Sequence, residues 1–538
     1  MTTTTAKNVT KNVTERLLRR HRLLDAARGL VGVERESESK PKSKSSPQKG
    51  AIKTFSLSKN HVGSLSSSSG PPTPKDFHSN LCHMIRNAQD RVCLASLYIG
   101  PGASPSHERE LELLDALSSV RPEVQVKVLL DRNRALRKVP LADKTKTSSA
   151  QAVSQALQFK KQHELYLLQV LPSPLKSILP NPLDEVAGVF HIKAYIIDDN
   201  LILSGANLSE EYFSDRQDRY IRIAEGGGGL VDFYAQLLDL LCAHGQNYNH
   251  DSSPPQRQPS TSTTKQELAQ QLTDLFVDPN PLSAESLLQD TSSHKDKDTV
   301  MGVAIPTFQP PEGFFDETTP YPAFLSDVEV THALLDAGNN HDDEHARVQL
   351  SSAYLNPTDC LLERLAKYPH VDLLSAGRIS HGFRPKPKAG NKGKEWIPTV
   401  FDHLARDACQ QLPNAQLWHW EREGWTFHSK GLWLSSSDQD NDNVGDDSSR
   451  LDAAMIGSGN FGARSFRRDM ESNCVFIFPE NNKNNNNNNL LSESLQSEWK
   501  AKQASSRPVS AEELADTCTS NPLPRHIQVL YPYIKSFF

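Results

Sequence analysis

The sequence predicts an α/β protein built as two similar mixed-sheet halves in one chain, a pseudo-twofold pair sharing one site. Three observations predict this. A short motif occurs twice, as Phe190-His191-Ile192-Lys193 and as Phe427-His428-Ser429-Lys430. Each copy is followed by a glycine-containing turn ending in asparagine (Asn207, Asn460), then by an acid eleven positions later (Asp218, Glu471). The strands expected upstream also repeat: Val92–Tyr98 is echoed by Val348–Tyr354, and Val124–Asp131 by His370–Ser375.

A chain of 538 residues is long enough for two core-bearing halves. The net charge of −6 excludes a general field for nucleic acid or anionic membrane, so any basic patch is local. Seven cysteines lie scattered without a CxxC pair. That argues against a zinc site or a disulfide framework and fits a reducing compartment. No long apolar run is present, so no spanning helix is expected, and a lipid substrate would be met from the side of the membrane.

In chain order, residues 1–35 read as a mitochondrial presequence-like segment. Lys7, Lys11, Arg16, Arg19, Arg20, Arg22 and Arg28 outnumber Glu15 and Asp25, and Leu17, Leu18, Leu23, Leu24 and Leu30 suit one helical stripe. Residues 36–75 are Ser-, Lys- and Pro-rich, a flexible linker by composition. The first half is expected over 76–244. It has helices near 77–90, 107–117, 151–164 and 230–243, and strands at 91–99, 124–131, 165–171, 189–197 and 201–203. Residues 245–300 form a polar linker or insertion, with a possible helix at 264–276. The second half spans 301–538, with polar insertions at 435–450 and 480–489.

On a strand, residues two apart face one side, so each His–Lys pair is expected to point into one cleft. An imidazole beside an ammonium suits a phosphodiester. The lysine neutralises a non-bridging oxygen while the histidine attacks phosphorus or carries a proton. Asn207 and Asn460 are candidates to donate further hydrogen bonds. Asp218 and Glu471 are candidates to hold a histidine in the needed tautomer. No His/carboxylate set shows metal-ligand spacing, so no metal or other cofactor is expected. A single His-x-Lys is worth little; two copies with matching downstream offsets carry the reading.

The set His191, Lys193, Asp198 and Gly205-Ala206-Asn207 resembles the signature of the phospholipase D superfamily. The finer pattern is similar to the eukaryotic mitochondrial CDP-diacylglycerol–glycerol-3-phosphate 3-phosphatidyltransferases (phosphatidylglycerophosphate synthases). It lies in Ala95–Gly100, Leu129–Arg134, Phe190–Tyr195, Ser204–Ser209, Asp215–Tyr220, Ala353–Thr358, Phe427–Trp433, Ile456–Gly462 and Arg464–Glu471. The resemblance runs from about residue 76 to the C-terminus. It implies two phospholipase D-like halves and a transfer from CDP-diacylglycerol to glycerol 3-phosphate, on the way to cardiolipin, without metal or nucleic acid. It also implies a peripheral place on the matrix side of the inner mitochondrial membrane. His191 is then the nucleophile and His428 the proton shuttle. Lys193, Lys430, Asn207 and Asn460 stabilise the phosphoryl oxygens, Asp198 completes the first motif, and Arg134, Arg464 and Arg468 are candidates for the anionic head groups. One departure stands out: Ser435 occupies the position matching Asp198 in the second copy. A phosphodiesterase acting on nucleic acid or another phospholipid is the rival reading, opposed by the acidic net charge and by Asp198. A non-enzymatic lipid-binding relative is opposed by the presence of both His–Lys pairs.

Overall fold

The computed structural model describes residues 19–29, 51–63, 65–66, 71–100, 107–140, 145–158, 162–170, 188–248, 262–288, 300–315, 321–322, 325–339, 343–384, 396–437, 449–479 and 490–534. Two large mixed sheets organise these residues. The first contains β1 (Arg91–Ser96), β2 (Gln125–Asp131), β3 (His163–Leu168), β4 (Ala194–Ile197), β5 (Asn200–Ser204) and β6 (Tyr220–Ile223). The second contains β7 (Val300–Pro306), β8 (Arg347–Ser351), β9 (His370–Ala376), β10 (Ala415–Trp420), β11 (Gly431–Ser437), β12 (Ser449–Gly457) and β13 (Asn473–Ile477).

The repeat read from sequence is a repeat of topology. The first sheet runs β3-β2-β1-β4-β5-β6, and the second runs β10-β9-β8-β11-β12-β13. In each, the first three strands pair in parallel and the rest antiparallel. Parallel neighbours need crossovers, supplied by Glu108–Ser118 and Ser149–Leu157 in the first half and by Asp359–Leu365 and Trp396–Gln411 in the second. These central strands are apolar on both faces because both faces are covered. Along β1, Val92 and Leu94 enter one core while Cys93 and Ala95 enter the other. The core on the second side also holds Val348, Leu373, Leu432 and Val475, so it is continuous from half to half.

Most helices form where periodicity and caps place them. Pro74–Arg86 begins at Thr73, whose hydroxyl accepts the Asp76 N–H while Asp76 returns the bond. Leu230–Ala243 and Ser262–Phe276 match their expected positions within two residues. The strand expected over 189–197 starts only at Ala194. Its first residues pair instead with the other half, through the parallel bridge Phe190–Met470. All seven cysteines are free thiols. Of the polar insertions, 438–448 and 480–489 lie outside the described residues, as do 1–18 and 30–50.

Residues 19–27 form a helix packed into the body, within the stretch that sequence assigns to a presequence. Leu23, Leu24 and Ala27 have no exposed surface. Arg19 pairs with Asp343 at 2.8 Å and with Asp452 at 3.4 Å, and Arg20 with Asp452 at 3.3 Å. Leu23 and Leu24, the part of the import-signal-like stripe among the described residues, are here buried in the common core.

Candidate active site

The two motifs meet because backbone segments of one half pair with those of the other. His191 donates its N–H to the Met470 carbonyl, and Met470 donates to that of Val189, both at 2.9 Å. The pseudo-symmetric contact joins Arg216–Gln217 in parallel to Thr426–Phe427. There Thr426 donates to Asp215 and His428 to Gln217, both at 2.8 Å. Each histidine is thereby set opposite the acid of the other half. Nδ1 of His191 lies 2.8 Å from Glu471 Oε1, and Nδ1 of His428 lies 2.7 Å from Asp218 Oδ2. Sequence named both acids but not this crossing.

A carboxylate only accepts hydrogen bonds, so each acid favours the tautomer with the hydrogen on Nδ1 and the lone pair on Nε2. No group among the described residues hydrogen-bonds Nε2 of His191. Nε2 of His428 faces the Tyr212 hydroxyl and the Lys430 ammonium, each at 3.4 Å, and that ammonium also lies 2.6 Å from Nδ1. Lys193 and Lys430 are buried, and each ammonium donates to the carbonyl of its own histidine, at 2.7 and 2.6 Å. Lys430 also lies 3.7 Å from Asp218. The motifs themselves precede β4 and β11 rather than lying on them.

Electrostatics divide the two pairs. Burial raises the Asp218 carboxyl, but Lys430 and His428 outweigh it and hold it down at about 2. Burial dominates at Glu471 and pushes it up to about 7 against the pull of Lys193. Burial, then the neighbouring lysine, lowers both histidines well below the ordinary imidazole range. Burial also lowers Lys430 to about 8, despite Asp218 and Glu471.

The supporting residues follow. Asn207 donates to the Tyr212 hydroxyl at 3.1 Å, and the side-chain oxygens of both Asn207 and Asn460 are buried without a partner. Two orphaned amides at equivalent positions mark a place where a polar ligand would complete the bonding. A Cβ on Gly205 would collide with the Lys430 side chain, so this turn needs glycine. Asp131 accepts the Phe190 N–H at 2.9 Å and caps Arg134, whose guanidinium sits 4.8 Å over the Tyr98 ring. Asp469 accepts the Val189 N–H at 3.1 Å and pairs with Arg464 at 2.9 Å. Arg468 is half-buried, and burial and Arg464 depress its pKa.

Asp198 is a correction. Its carboxylate accepts the N–H groups of Gln89, Asp90 and Arg91 at 2.8 to 3.1 Å, at a residue with φ of 51°. It therefore pins the β4–β5 turn to the start of β1. Six residues, the last four of them β4, separate it from His191, roughly 20 Å of chain. In the second half Ser435, at the matching position, lies within β11 rather than in the turn that follows it.

His191, Asp469 and Glu471 offer atoms within 4.8 Å of one another, the spacing of a metal site. These donors are already engaged: Asp469 by Arg464 and Val189, Glu471 by His191 and Ser465. Sequence missed a second buried network, Arg219–Glu498–Lys502, on the far side of the second motif. Arg219 bonds Glu498 at 3.0 Å and lies 4.1 Å over Trp433, and Lys502 donates to Ser429, between His428 and Lys430. A Cβ on Gly431 would collide with the Arg219 guanidinium. The pairing of Glu498 and Lys502 four residues apart on one helix was the available signal.

Two halves that exchange acids across a shared His–Lys centre define a phospholipase D-like protein. The solved phosphatidylserine synthase of Haemophilus influenzae shares this fold, with a TM-score of 0.62 over 90% of this chain and 97% of that one, at 17% identity. In sequence the chain is similar to the CDP-diacylglycerol–glycerol-3-phosphate 3-phosphatidyltransferases. It is 28% identical to the mitochondrial enzyme of that name from Gallus gallus over 516 residues, covering 90% of this chain and 85% of that one. The Homo sapiens enzyme is 26% identical, with 90% and 84% covered, and that of Schizosaccharomyces pombe 25%, with 86% and 92% covered. No family model matches the chain.

Proposed function

We propose that the protein transfers the phosphatidyl group of CDP-diacylglycerol to sn-glycerol 3-phosphate, releasing CMP and forming phosphatidylglycerophosphate. The relatives named for this reaction support it, and the observation that carries the chemistry is the crossed pairing of His191 with Glu471 and His428 with Asp218. The open Nε2 of His191 attacks the diacylglycerol-bearing phosphorus. A P–N bond forms as the P–O bond to CMP breaks. The hydroxyl of glycerol 3-phosphate then attacks the same phosphorus, gives its proton to the His428 side and displaces His191. Lys193, Lys430 and the two asparagines stabilise the phosphoryl oxygens in both steps.

Arg134, whose N–H bonds the Asp131 that also holds Phe190, and Arg464 and Arg468 near His191 hold the anionic groups of the substrates. Peripheral membrane contact is supported by the exposed Ile379 and Phe383. The Phe383 ring lies 5.4 Å from Tyr354, itself 5.8 Å from His428. No helix among the described residues is long and apolar enough to cross a membrane. Relatives named as mitochondrial support that organelle as the place of action, and the matrix face of the inner membrane is our proposal within it.

Purified protein given CDP-diacylglycerol and labelled glycerol 3-phosphate is expected to produce lipid-soluble label and stoichiometric CMP, unaffected by chelator. Hydrolysis of DNA without CMP release would favour the nucleic-acid phosphodiesterase instead. A bell-shaped kcat/KM profile is also expected. Activity rises with pH through about 7, as Glu471 ionises and can accept from His191, and falls above about 8, as Lys430 loses its proton. A flat profile between those limbs and beyond would remove both groups from the rate-determining chemistry.

A further inference from the structure

The position five after each asparagine breaks the pseudo-symmetry: it is Tyr212 in the first half and Ser465 in the second. Ser465 supports the acid, donating to Glu471 at 3.2 Å while its oxygen accepts the Asn460 N–H at 2.9 Å. Tyr212 reaches the other half's histidine instead. Its hydroxyl lies 3.4 Å from Nε2 of His428, and the rings meet edge-on with centroids 5.1 Å apart. Asn207 donates to that hydroxyl at 3.1 Å, and Arg216 lies 4.7 Å over the ring. With the Nδ1 hydrogen turned to Asp218, Nε2 is the acceptor; two donors face it at 3.4 Å, the Tyr212 O–H and the Lys430 ammonium. Asn207 takes one lone pair of that oxygen and leaves one for another donor. Nothing comparable covers Nε2 of His191.

We propose that Tyr212 assigns the two histidines their different work: its hydroxyl keeps His428 from attacking phosphorus and relays to it the proton of the acceptor hydroxyl. The inference rests on the phosphatidyl-transfer reading above. In the second step the acceptor oxygen bonds to phosphorus, the P–N bond to His191 breaks, and the acceptor's proton moves to the Tyr212 oxygen. The Tyr212 proton moves to Nε2 of His428 in the same event. Tyrosine ends neutral and His428 ends as an imidazolium facing Asp218. Burial disfavours the phenolate strongly, which suits a group that passes a proton without holding the charge. The other charged neighbours of His428 are Lys430 and Arg216, which oppose the imidazolium, and Asp218, which favours it.

The test separates charging from discharge. The enzyme is loaded with acyl-labelled CDP-diacylglycerol, then mixed rapidly with glycerol 3-phosphate at a series of pH values. Tyr212→Phe keeps the ring and is expected to charge His191 within about threefold of the native rate and to discharge about 10-fold or more slower. Its discharge limb moves to higher pH, because a donor that favoured neutral imidazole is gone. Difluorotyrosine at position 212, a stronger donor, moves the limb to lower pH. Discharge rates and limbs unchanged in both proteins, or native label on His428, would overturn the proposal. Absence of any covalent label in the native protein would instead remove the phosphatidyl-histidine step, and this inference with it.

Discussion

Replacement of His191 by alanine is expected to lower kcat by roughly 10⁴-fold or more, with the protein still folded and the lipid substrate still bound. Between the two motif histidines, His191 is the one whose Nε2 has no hydrogen-bond partner among the described residues, and an alanine leaves phosphorus without a partner in the first step. The loss is in chemistry and not in affinity, because the lysines, asparagines and arginines that hold phosphate are untouched. The decisive measurement is the covalent adduct. Native protein quenched during turnover should carry the phosphatidyl group on His191, and His191→Ala should carry none anywhere. An adduct on His428 in the variant would reverse the assignment of the two histidines. Retention of configuration at a chiral phosphorus would agree with two successive in-line displacements, and inversion would sink the covalent route.

Asp218→Asn is expected to cost about 10³- to 10⁴-fold in kcat, about 4 to 5 kcal/mol of transition-state stabilisation. The carboxylate holds His428 in the tautomer that leaves Nε2 free to accept a proton, and it faces the imidazolium formed in the second step. An amide of the same shape can donate to Nδ1 and present the wrong tautomer. It also removes the counter-charge of a buried Lys430. The adduct on His191 should therefore form and persist, discharging slowly. Rapid charging with slow discharge in this variant would separate His428 from the first step, whereas equal loss of both would place it in each.

Much of the fold was legible because its signals are local. β1 and β2 announce themselves as apolar runs, and the matching offsets after Asn207 and Asn460 show that one plan is used twice. What sequence could not show depends on contacts between distant segments. Asp198 carries the spacing of a catalytic residue, yet the length of β4 sends it to the far end of the strand. The crossing of Asp218 and Glu471 is set by backbone pairing between halves, which leaves no trace in either motif. Tyr212 looks like an ordinary aromatic on the short helix Glu210–Ser214 until His428 is placed against it. The helix at 19–27 has the composition of a leader, and only Asp343 and Asp452, far away in sequence, reveal that its arginines are used in the body.

The exchange of acids also orders events in time. His191 and the acid that holds it are separated by 280 residues of chain. A chain that carried only the first half would hold His191 without the carboxylate that fixes its tautomer, and without the second half's share of a common core. Glu471 is the last in sequence of the two motifs and their paired acids, so the set is complete only when nearly the whole chain is present. Competence arrives with the closing of the two halves on each other, and the same interface that builds the site serves as its safety catch.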